Sequence, residues 1–417
     1  MSTLRINGGK RLAGEIEVHG AKNSVLPILA ASLLANGETV IHNCPGLSDV
    51  DAAVKILRHL GCGVKREGTT ITIDSSTMDR CDIPDALMRE MRSSVIFLGA
   101  IVARCGEAVL SMPGGCELGP RPIDMHLAAL KSMGAEITET GGNIICRSKK
   151  LHGARIDFLT PSVGATENSM VAASCIEGTT VINNAAREPE ICDLQDYLNK
   201  LGANVSGAGT PVIVVEGRSF KGSAEHTVIP DRIVAATYLT AVACAGGDVV
   251  VKDLIPAHVS TITQALEEMG CHIEMHGGSI RIVKNENRLV APRPVITRPY
   301  PGFPTDAQPI LMSATLTAAG TTVFVENIFE NRFRHVSELR RMGADVKTEG
   351  RVAIVSGVEK LHAAPVAATD LRGGAALVVA ALGAEGTSVI SELKHIDRGY
   401  YGLENALRGI GVDIERV

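Results

Sequence analysis

The sequence predicts an α/β fold of six repeated units, with helices inside and sheets around them, and three observations carry that prediction. A pattern of Leu, two mostly polar residues, an apolar residue and Gly, then a strand, recurs six times. An Ala-rich apolar helix, a Gly and a β-branched strand precede each copy. A strand opening Lys/Arg-Leu-x-Gly/Ala recurs between units, and the N-terminus holds one more.

The Leu-to-Gly copies are LRHLGCGV from Leu57, LKSMGAEI from Leu130, LNKLGANV from Leu198, LEEMGCHI from Leu266, LRRMGADV from Leu339 and LRGIGVDI from Leu407. Their glycines are spaced 73, 68, 68, 73 and 68 residues apart, a regularity that chance does not give. Apolar residues three apart mark the buried stripe of a helix's last turns. Gly then stands where helices end in a left-handed residue. A hairpin follows, as in CGVKREGTTITID. The preceding helices, as in AASLLANGETVIHN, VAASCIEGTTVINN and ATLTAAGTTVFVEN, are apolar nearly all round, so most of their faces are buried. Each unit therefore reads strand, buried helix, strand, outer helix, strand, strand.

The linking strands are typified by KKLHGARIDF and EKLHAAPVAA. The sixth unit stops at Val417 without one, whereas KRLAGEIEV, from Lys10, lies ahead of the first buried helix. The expectation is that the N-terminal segment completes the last unit and leaves no open sheet edge there. Three units per domain then divide the chain near residue 230, into residues 22–229 and residues 1–21 with 230–417. Six solenoid turns in one rod are the alternative, but a rod has no need of that extra strand.

Composition narrows the function classes. A net charge of −5 gives no global basic field for nucleic acid, so an anionic ligand needs a local cluster of Arg and Lys. No Trp, seven Phe and five Tyr leave little for base-stacking or sugar-stacking platforms. The start of the chain has no signal-type apolar run, and no membrane-length apolar stretch occurs. The ten Cys show no CxxC and no metal-ligand spacing. Most, such as Cys105, Cys175 and Cys244, lie in apolar segments and read as buried hydrophobes in a reducing, cytoplasmic compartment.

Chemistry is expected where the repeats differ. In the second, SMPGGCELGPRPIDMH places Cys116 in a Pro/Gly-rich loop, five residues before Arg121. A nearby guanidinium favours a thiolate; an incidental loop Cys is the other reading. Lys22 and Asn23, in AKNSVLP, stand at the mouth of the first buried helix, where an ammonium, amide donors and the helix's positive end suit an anion. An ordinary polar helix start explains them equally. Arg92, Arg332, Arg372 and Arg398 sit at strand–helix junctions or strand ends. Each alone reads as a solvated surface charge; converging, they suit carboxylate and phosphate. Asp306, in YPGFPTDAQ, and Asp370, in ATDLRGG, precede buried helices and read as N-caps or as a general base.

Taken together, AKN at 21–23, PGGCELGPRP at 113–122, PSVGATEN at 161–168, AAREPEI at 185–191, PDRI at 230–233, GFPTDAQ at 302–308, FENRF at 329–333, ATDLR at 368–372 and HIDRGY at 395–400 resemble the UDP-N-acetylglucosamine 1-carboxyvinyltransferase family, in order and over essentially the whole chain. The resemblance implies a two-domain inside-out α/β barrel, three βαβαββ-type units per domain, with the active site in the cleft between domains that close on substrate. Lys22, Arg121 and Arg398 match phosphoenolpyruvate-binding positions, with Asn23 and Arg372 close by. Cys116 matches an acid that also forms a covalent adduct with phosphoenolpyruvate. Arg92, Arg121, Pro122, Ile123, Asp124, Met125, Ser162, Val163, Gly164, Asp306 and Ile328 match UDP-sugar-binding positions. Arg332 and Asp370 match further active-site positions. Many members carry Lys where this chain has Ser48, and Ala where it has Gly373 and Gly374.

The implied reaction is transfer of the enolpyruvyl group of phosphoenolpyruvate to the 3-hydroxyl of UDP-N-acetylglucosamine, with release of phosphate, the first committed step of peptidoglycan precursor synthesis. Such chemistry asks for an acid at C3 (Cys116), a base for the hydroxyl (Asp306) and cations for the anion (Lys22, Arg121, Arg372 and Arg398). It implies two small-molecule substrates, no cofactor or metal, no nucleic acid or membrane, and no obligate protein partner. Transfer to shikimate 3-phosphate is the nearest alternative, and the loop Cys argues against it. A non-catalytic repeat scaffold leaves that Cys and the junction arginines unexplained.

Overall fold

The computed structural model describes residues 2–112, 122–218 and 222–417. Its helices, in chain order, are α1 (Lys22–Ala31), α2 (Ser48–His59), α3 (Asp85–Glu90), α4 (Phe97–Cys105), α5 (Asp124–Ser132), α6 (Val163–Ser174), α7 (Pro189–Lys200), α8 (Arg232–Ala245), α9 (Ser260–Glu268), α10 (Gln308–Thr315), α11 (Val336–Arg341), α12 (Leu371–Leu382) and α13 (Leu403–Gly409).

The recurring Leu-to-Gly pattern proves to be one helix-ending device used six times. It closes α2, α5, α7, α9, α11 and α13. All six glycines have φ between 90 and 106°, a region closed to most side chains. The residue after each Gly donates its N–H back to the Leu carbonyl at 3.0–3.2 Å, as Cys62 does to Leu57 and Val412 to Leu407. The Gly N–H returns to the residue after that Leu at 2.9–3.1 Å. These paired returns form a Schellman motif, whose apolar contact joins the Leu to the residue beyond the Gly. The motif explains why both positions are apolar: every one of the six leucines is at most 1% exposed.

Two compact units follow from the chain's contacts, a first lobe of residues 20–112 and 122–229 and a second of residues 2–19 and 230–417. In the first lobe α1, α4 and α6 pack on one another; in the second, α8, α10 and α12 do. These are the Ala-rich helices, and α10 is buried at every residue. Each lobe has its own apolar core, and each holds three four-stranded sheets, so helices lie inside and sheets outside, as the sequence predicts.

The N-terminal pairing differs from expectation. The sequence assigns the strand within KRLAGEIEV to the sixth repeat; Leu12–Glu17 instead runs parallel to Gly247–Lys252 of the fourth. Leu4–Asn7 fills the sixth sheet, antiparallel to both Thr387–Ser391 and Asp413–Arg416. The sixth repeat already has its leading strand, Pro365–Ala367, and lacks the second strand of its hairpin, which Leu4–Asn7 replaces. The first repeat takes its leading strand from Ala224–Thr227, parallel to Thr39–His42. Leading strands of the first and fourth repeats are thus exchanged along the chain, which passes between lobes after His19 and after Ile229.

The cysteine reading holds for Cys44, Cys62, Cys146 and Cys271, which are buried. Burial pushes the Cys44 thiol up to about 12, so it stays protonated. Cys175 and Cys244 are only partly buried, and Cys105 departs from the reading: it is exposed, because it ends α4 where Gly106 at φ 75° turns the chain. Among the described residues no helix is long and apolar enough to cross a membrane.

Candidate active site

Three aspartates precede the three buried helices of the second lobe, and they do different work. Asp231 and Asp370 are the N-caps of α8 and α12. Asp231 Oδ1 accepts from the N–H groups of Ile233 and Val234 at 2.8 and 3.1 Å. Asp370 Oδ1 accepts from Arg372 and Gly373 at 3.1 and 3.0 Å. Asp306 stands one residue further out: the cap of α10 is Ala307, with no side-chain bond. Its carboxylate faces two guanidinium groups instead, so the N-cap reading fails for Asp306 and holds for Asp370.

Arg332 NH2 donates to Asp306 Oδ1 at 2.8 Å, and its Nε and NH2 donate to the Thr305 carbonyl at 3.0 and 2.8 Å. Its NH1 lies 3.7 Å from Asp370 Oδ1. Arg372 Nε donates to Asp306 Oδ2 at 3.2 Å. Its guanidinium carbon lies 5.5 Å from the centre of the Tyr400 ring, a cation–π distance. Tyr400 is held by a 2.8 Å hydrogen bond between its hydroxyl and that of Thr237. Both arginines are 1% exposed, so neither is the solvated surface charge that each alone suggests from sequence. Buried guanidinium groups persist only when paired, and Asp306 pairs with both. Arg372 NH2 lies 3.2 Å from the same Asp306 oxygen as its Nε, an ion-pair distance, and its NH1 is buried without a hydrogen-bond partner.

Neighbouring groups fix this cluster. Glu326, fully buried, accepts from the N–H groups of Ile328 and Phe329 at 2.7 and 3.0 Å and from Thr305 Oγ1 at 3.0 Å. One carboxylate thereby sets both the Ile328 backbone and the Thr305–Asp306 turn. His335, fully buried, packs behind Arg332, with Nδ1 3.2 Å from the Arg332 carbonyl. Burial pushes its imidazole down to about 4, against the pull of Asp370 and with the push of Arg332. A Cβ on Gly373 would stand 2.6 Å from Asp370 Oδ2 and 2.9 Å from His335 Cβ, so the glycine lets helix, cap and imidazole close up. Arg398 ends the 3-10 turn Leu393–Arg398, half-buried, two residues before Tyr400.

In the first lobe, Lys22 and Asn23 open α1, whose cap, Ala21, has no side-chain bond. The Lys22 ammonium lies 2.9 Å from Asp49 Oδ2, and Asp49 is 1% exposed. Ser48 opens α2 beside it and is exposed. Pro122 and Ile123 lead into α5, which begins with Asp124 and Met125; Val163 and Gly164 begin α6, capped by Ser162 through the Ala165 N–H at 3.4 Å. These two stretches meet through His126: a Cβ on Gly164 would lie 2.9 Å from its Cε1. Asn168 secures the contact. Its amide nitrogen bonds His126 Nδ1 at 2.7 Å and the Val95 carbonyl at 2.9 Å, and its oxygen accepts the Gly99 N–H at 2.7 Å. Arg92 begins the 3-10 turn Arg92–Ile96, which this bond to Val95 ties to α6. Cys116 and Arg121 lie outside the described residues.

Burial pushes His126 down to about 4, against the pull of Asp124. Burial, and then the carboxylates of Glu190 and Glu188, hold Glu167 well above the ordinary carboxylate range. A hollow of about 600 Å³ in this lobe is lined by Asp193, Lys200, His226 and their neighbours, and by none of the expected site residues. Sequence reasoning did not single out Glu326, His335, Tyr400 or Asn168. All four sit within three residues of quoted motifs or inside them, but nothing in a single sequence marks which polar neighbour turns inward.

A family model described as EPSP synthase (3-phosphoshikimate 1-carboxyvinyltransferase) matches residues 6–407. The chain is 52% identical to UDP-N-acetylglucosamine 1-carboxyvinyltransferase 2 of Caldanaerobacter subterraneus subsp. tengcongensis, over 100% of both chains. It is 51% identical to UDP-N-acetylglucosamine 1-carboxyvinyltransferase 1 of Symbiobacterium thermophilum, over 99% of this chain and 94% of that one. Among solved structures, the enolpyruvyl transferase NikO from Streptomyces tendae matches with a TM-score of 0.90 at 26% identity, covering 100% of this chain and 99% of that one. EPSP synthase from Acinetobacter baumannii matches with a TM-score of 0.75 at 18% identity over 100% of both, a likeness of fold alone. With relatives half identical from end to end and the inside-out arrangement of helices and sheets in each lobe, the chain belongs to the UDP-N-acetylglucosamine 1-carboxyvinyltransferase family of enolpyruvyl transferases.

Proposed function

We propose that this protein transfers the enolpyruvyl group of phosphoenolpyruvate to the 3-hydroxyl of UDP-N-acetylglucosamine, with release of phosphate, in the cytoplasm and without a cofactor. The observation that carries the reading is end-to-end identity of 52% to a transferase of that name. The geometry of the second lobe supports it: a carboxylate gripped by two buried arginines, one of which keeps a terminal nitrogen, NH1, without a hydrogen-bond partner. Such a nitrogen suits a carboxylate or phosphate oxygen.

In the reaction, Cys116 gives a proton to C3 of phosphoenolpyruvate, which makes C2 electrophilic. The sugar hydroxyl adds to C2 and passes its proton to Asp306, forming a tetrahedral phosphate ketal. Loss of the C3 proton and breakage of the C2–O bond to phosphate then leave the enol ether and inorganic phosphate. Lys22, Asn23, Arg121, Arg372 and Arg398 hold phosphoenolpyruvate. Arg92, Arg121 to Met125, Ser162 to Gly164 and Ile328 hold the UDP-sugar, with Arg332 and Asp370 supporting Asp306 and the start of α12.

The test is phosphate release from phosphoenolpyruvate, measured with UDP-N-acetylglucosamine, with shikimate 3-phosphate and with no acceptor. Release is expected with the UDP-sugar alone. Cys116→Ala is expected to lower it by about 10²-fold or more while leaving UDP-sugar binding intact. Release with shikimate 3-phosphate, or near-normal turnover of the variant, refutes the acceptor and the acid respectively.

A further inference from the structure

Ser24 follows Lys22 and Asn23 in the first turn of α1 and is fully buried. Its hydroxyl donates to Oδ2 of Asp193, on α7. The same oxygen accepts the Ile229 N–H at 3.2 Å, and Oδ1 lies 2.8 Å from His226 Nε2. Asp193 and His226 are each 4% exposed. Ala21 N–H also donates to the Ile229 carbonyl at 2.8 Å. The start of α1 is therefore fastened to Ile229 twice, once through its backbone and once through the Asp193 carboxylate.

His226 completes the fork. Its ring meets that of Tyr197 edge-on, with centroids 5.6 Å apart. Its Nδ1 is buried without a hydrogen-bond partner. The contact with Asp193 thus settles the tautomer: the ring carries its proton on Nε2 and directs it at the carboxylate. Both groups are almost wholly covered, and losing a contact between such groups is costly. Nothing else caps this helix, because Ala21 offers no side-chain bond. Asp49 holds the far end of Lys22 at 2.9 Å, and what holds Ser24 sets the backbone from which Lys22 and Asn23 leave the helix end.

We infer that Asp193 and His226 are positioning residues for enolpyruvyl transfer, aiming Lys22 and Asn23 at phosphoenolpyruvate through the Ser24 hydroxyl. The inference rests on the function proposed above and adds a second layer to it. Small misplacements of a substrate-holding group are costly to rate, so a network this close to Lys22 acts on the substrate that Lys22 holds.

The experiment compares wild type, Ser24→Ala, His226→Leu and His226→Gln in the full chain. KM and kcat for phosphate release are measured against each substrate, together with the melting temperature. Ser24→Ala removes one oxygen, and is expected to raise KM for phosphoenolpyruvate about fivefold or more, the scale of one buried hydrogen bond, with little change in KM for UDP-N-acetylglucosamine or in melting temperature. His226→Leu is expected to reproduce that split. His226→Gln, whose amide can still donate to Asp193, is expected to restore the wild-type KM. If Ser24→Ala raises both KM values equally, or only lowers the melting temperature, the positioning role is overturned, whether or not the His226 variants fold. If wild type itself releases no phosphate with the UDP-sugar present, the failure lies in the proposed function instead.

Discussion

The starts of α10 and α12 look alike in sequence, TDAQ against TDLR, and the structure uses them in opposite ways. Asp370 lies directly before its helix, so its carboxylate turns inward and binds two backbone N–H groups. Asp306 lies one residue earlier, with Ala307 between it and the first turn, and its carboxylate takes Arg332 and Arg372. An offset of one residue separates a group that holds a helix from a group that pairs with two guanidiniums. The lesson carries to the arginines: Arg372 belongs to the helix that Asp370 caps, yet its side chain answers to Asp306.

The comparison is open to breakage at several points. The largest effect is expected from Asp306→Asn, which keeps the shape and removes the charge: turnover should fall about 10²–10⁴-fold, the scale of a positioned base. A steady-state assay in which this variant keeps a tenth of wild-type turnover would reduce Asp306 to an ion-pair partner.

Acid sharpens the contrast between lobes. Each has a buried histidine held neutral down to about 4, His126 in the first and His335 in the second. In the unfolded chain both take up a proton near 6.5. The unfolded state therefore binds more protons as pH falls from about 6.5 to about 4, and each histidine costs stability there, at most about 1.4 kcal/mol per pH unit. Glu167 acts the other way. Its raised folded value means that its contribution is fully present below the ordinary carboxylate value and is lost as pH rises through the folded one. Acidification thus favours the first lobe through Glu167 while His126 opposes it, and the second lobe has no such offset from a described group of that kind. Hydrogen exchange at pH 7 and pH 5 should show protection falling first around α10 and α12. Equal losses in both lobes would contradict this account, and Glu167→Gln should remove the difference.

A smaller effect is expected at Asp370. Replacing it by Ala should cost about 1 kcal/mol of stability, up to about 2, and Asn should restore most of it because Asn caps as well as Asp. Thermal melts in which Asn is as damaging as Ala would mean that the charge beside Arg332, and not the cap, is what stabilises α12.

Much of the fold was legible because one device repeats. Leu57 and its five counterparts, each followed by a glycine four residues on, signal a helix end by chemistry that is local to six residues. The exchange of leading strands was not legible. Ala224–Thr227 reads AEHT, without the Leu-x-Gly signature, and pairing across some 180 residues leaves no mark in a local pattern. The arginine junctions were visible as positions but not as burial: a guanidinium in FENRF looks the same whether it meets water or Asp306. Asp306 shows the limit from the other side, since its neighbours promise a cap and only the helix's first residue, Gln308, tells that the cap is Ala307.

The sixth sheet carries a consequence for synthesis. Its third strand, Leu4–Asn7, pairs with Asp413–Arg416, and Asn7 and Asp413 lie 406 residues apart, so one partner is made long before the other. The lobe made of residues 20–229 has all its strands once translation passes Thr227. The other lobe must keep Leu4–Asn7 waiting until Asp413–Arg416 has been made. That strand is thus made before the rest of its lobe and paired after it, and a chain cut ahead of Asp413 leaves Leu4 and Ile6 without the neighbour that covers them.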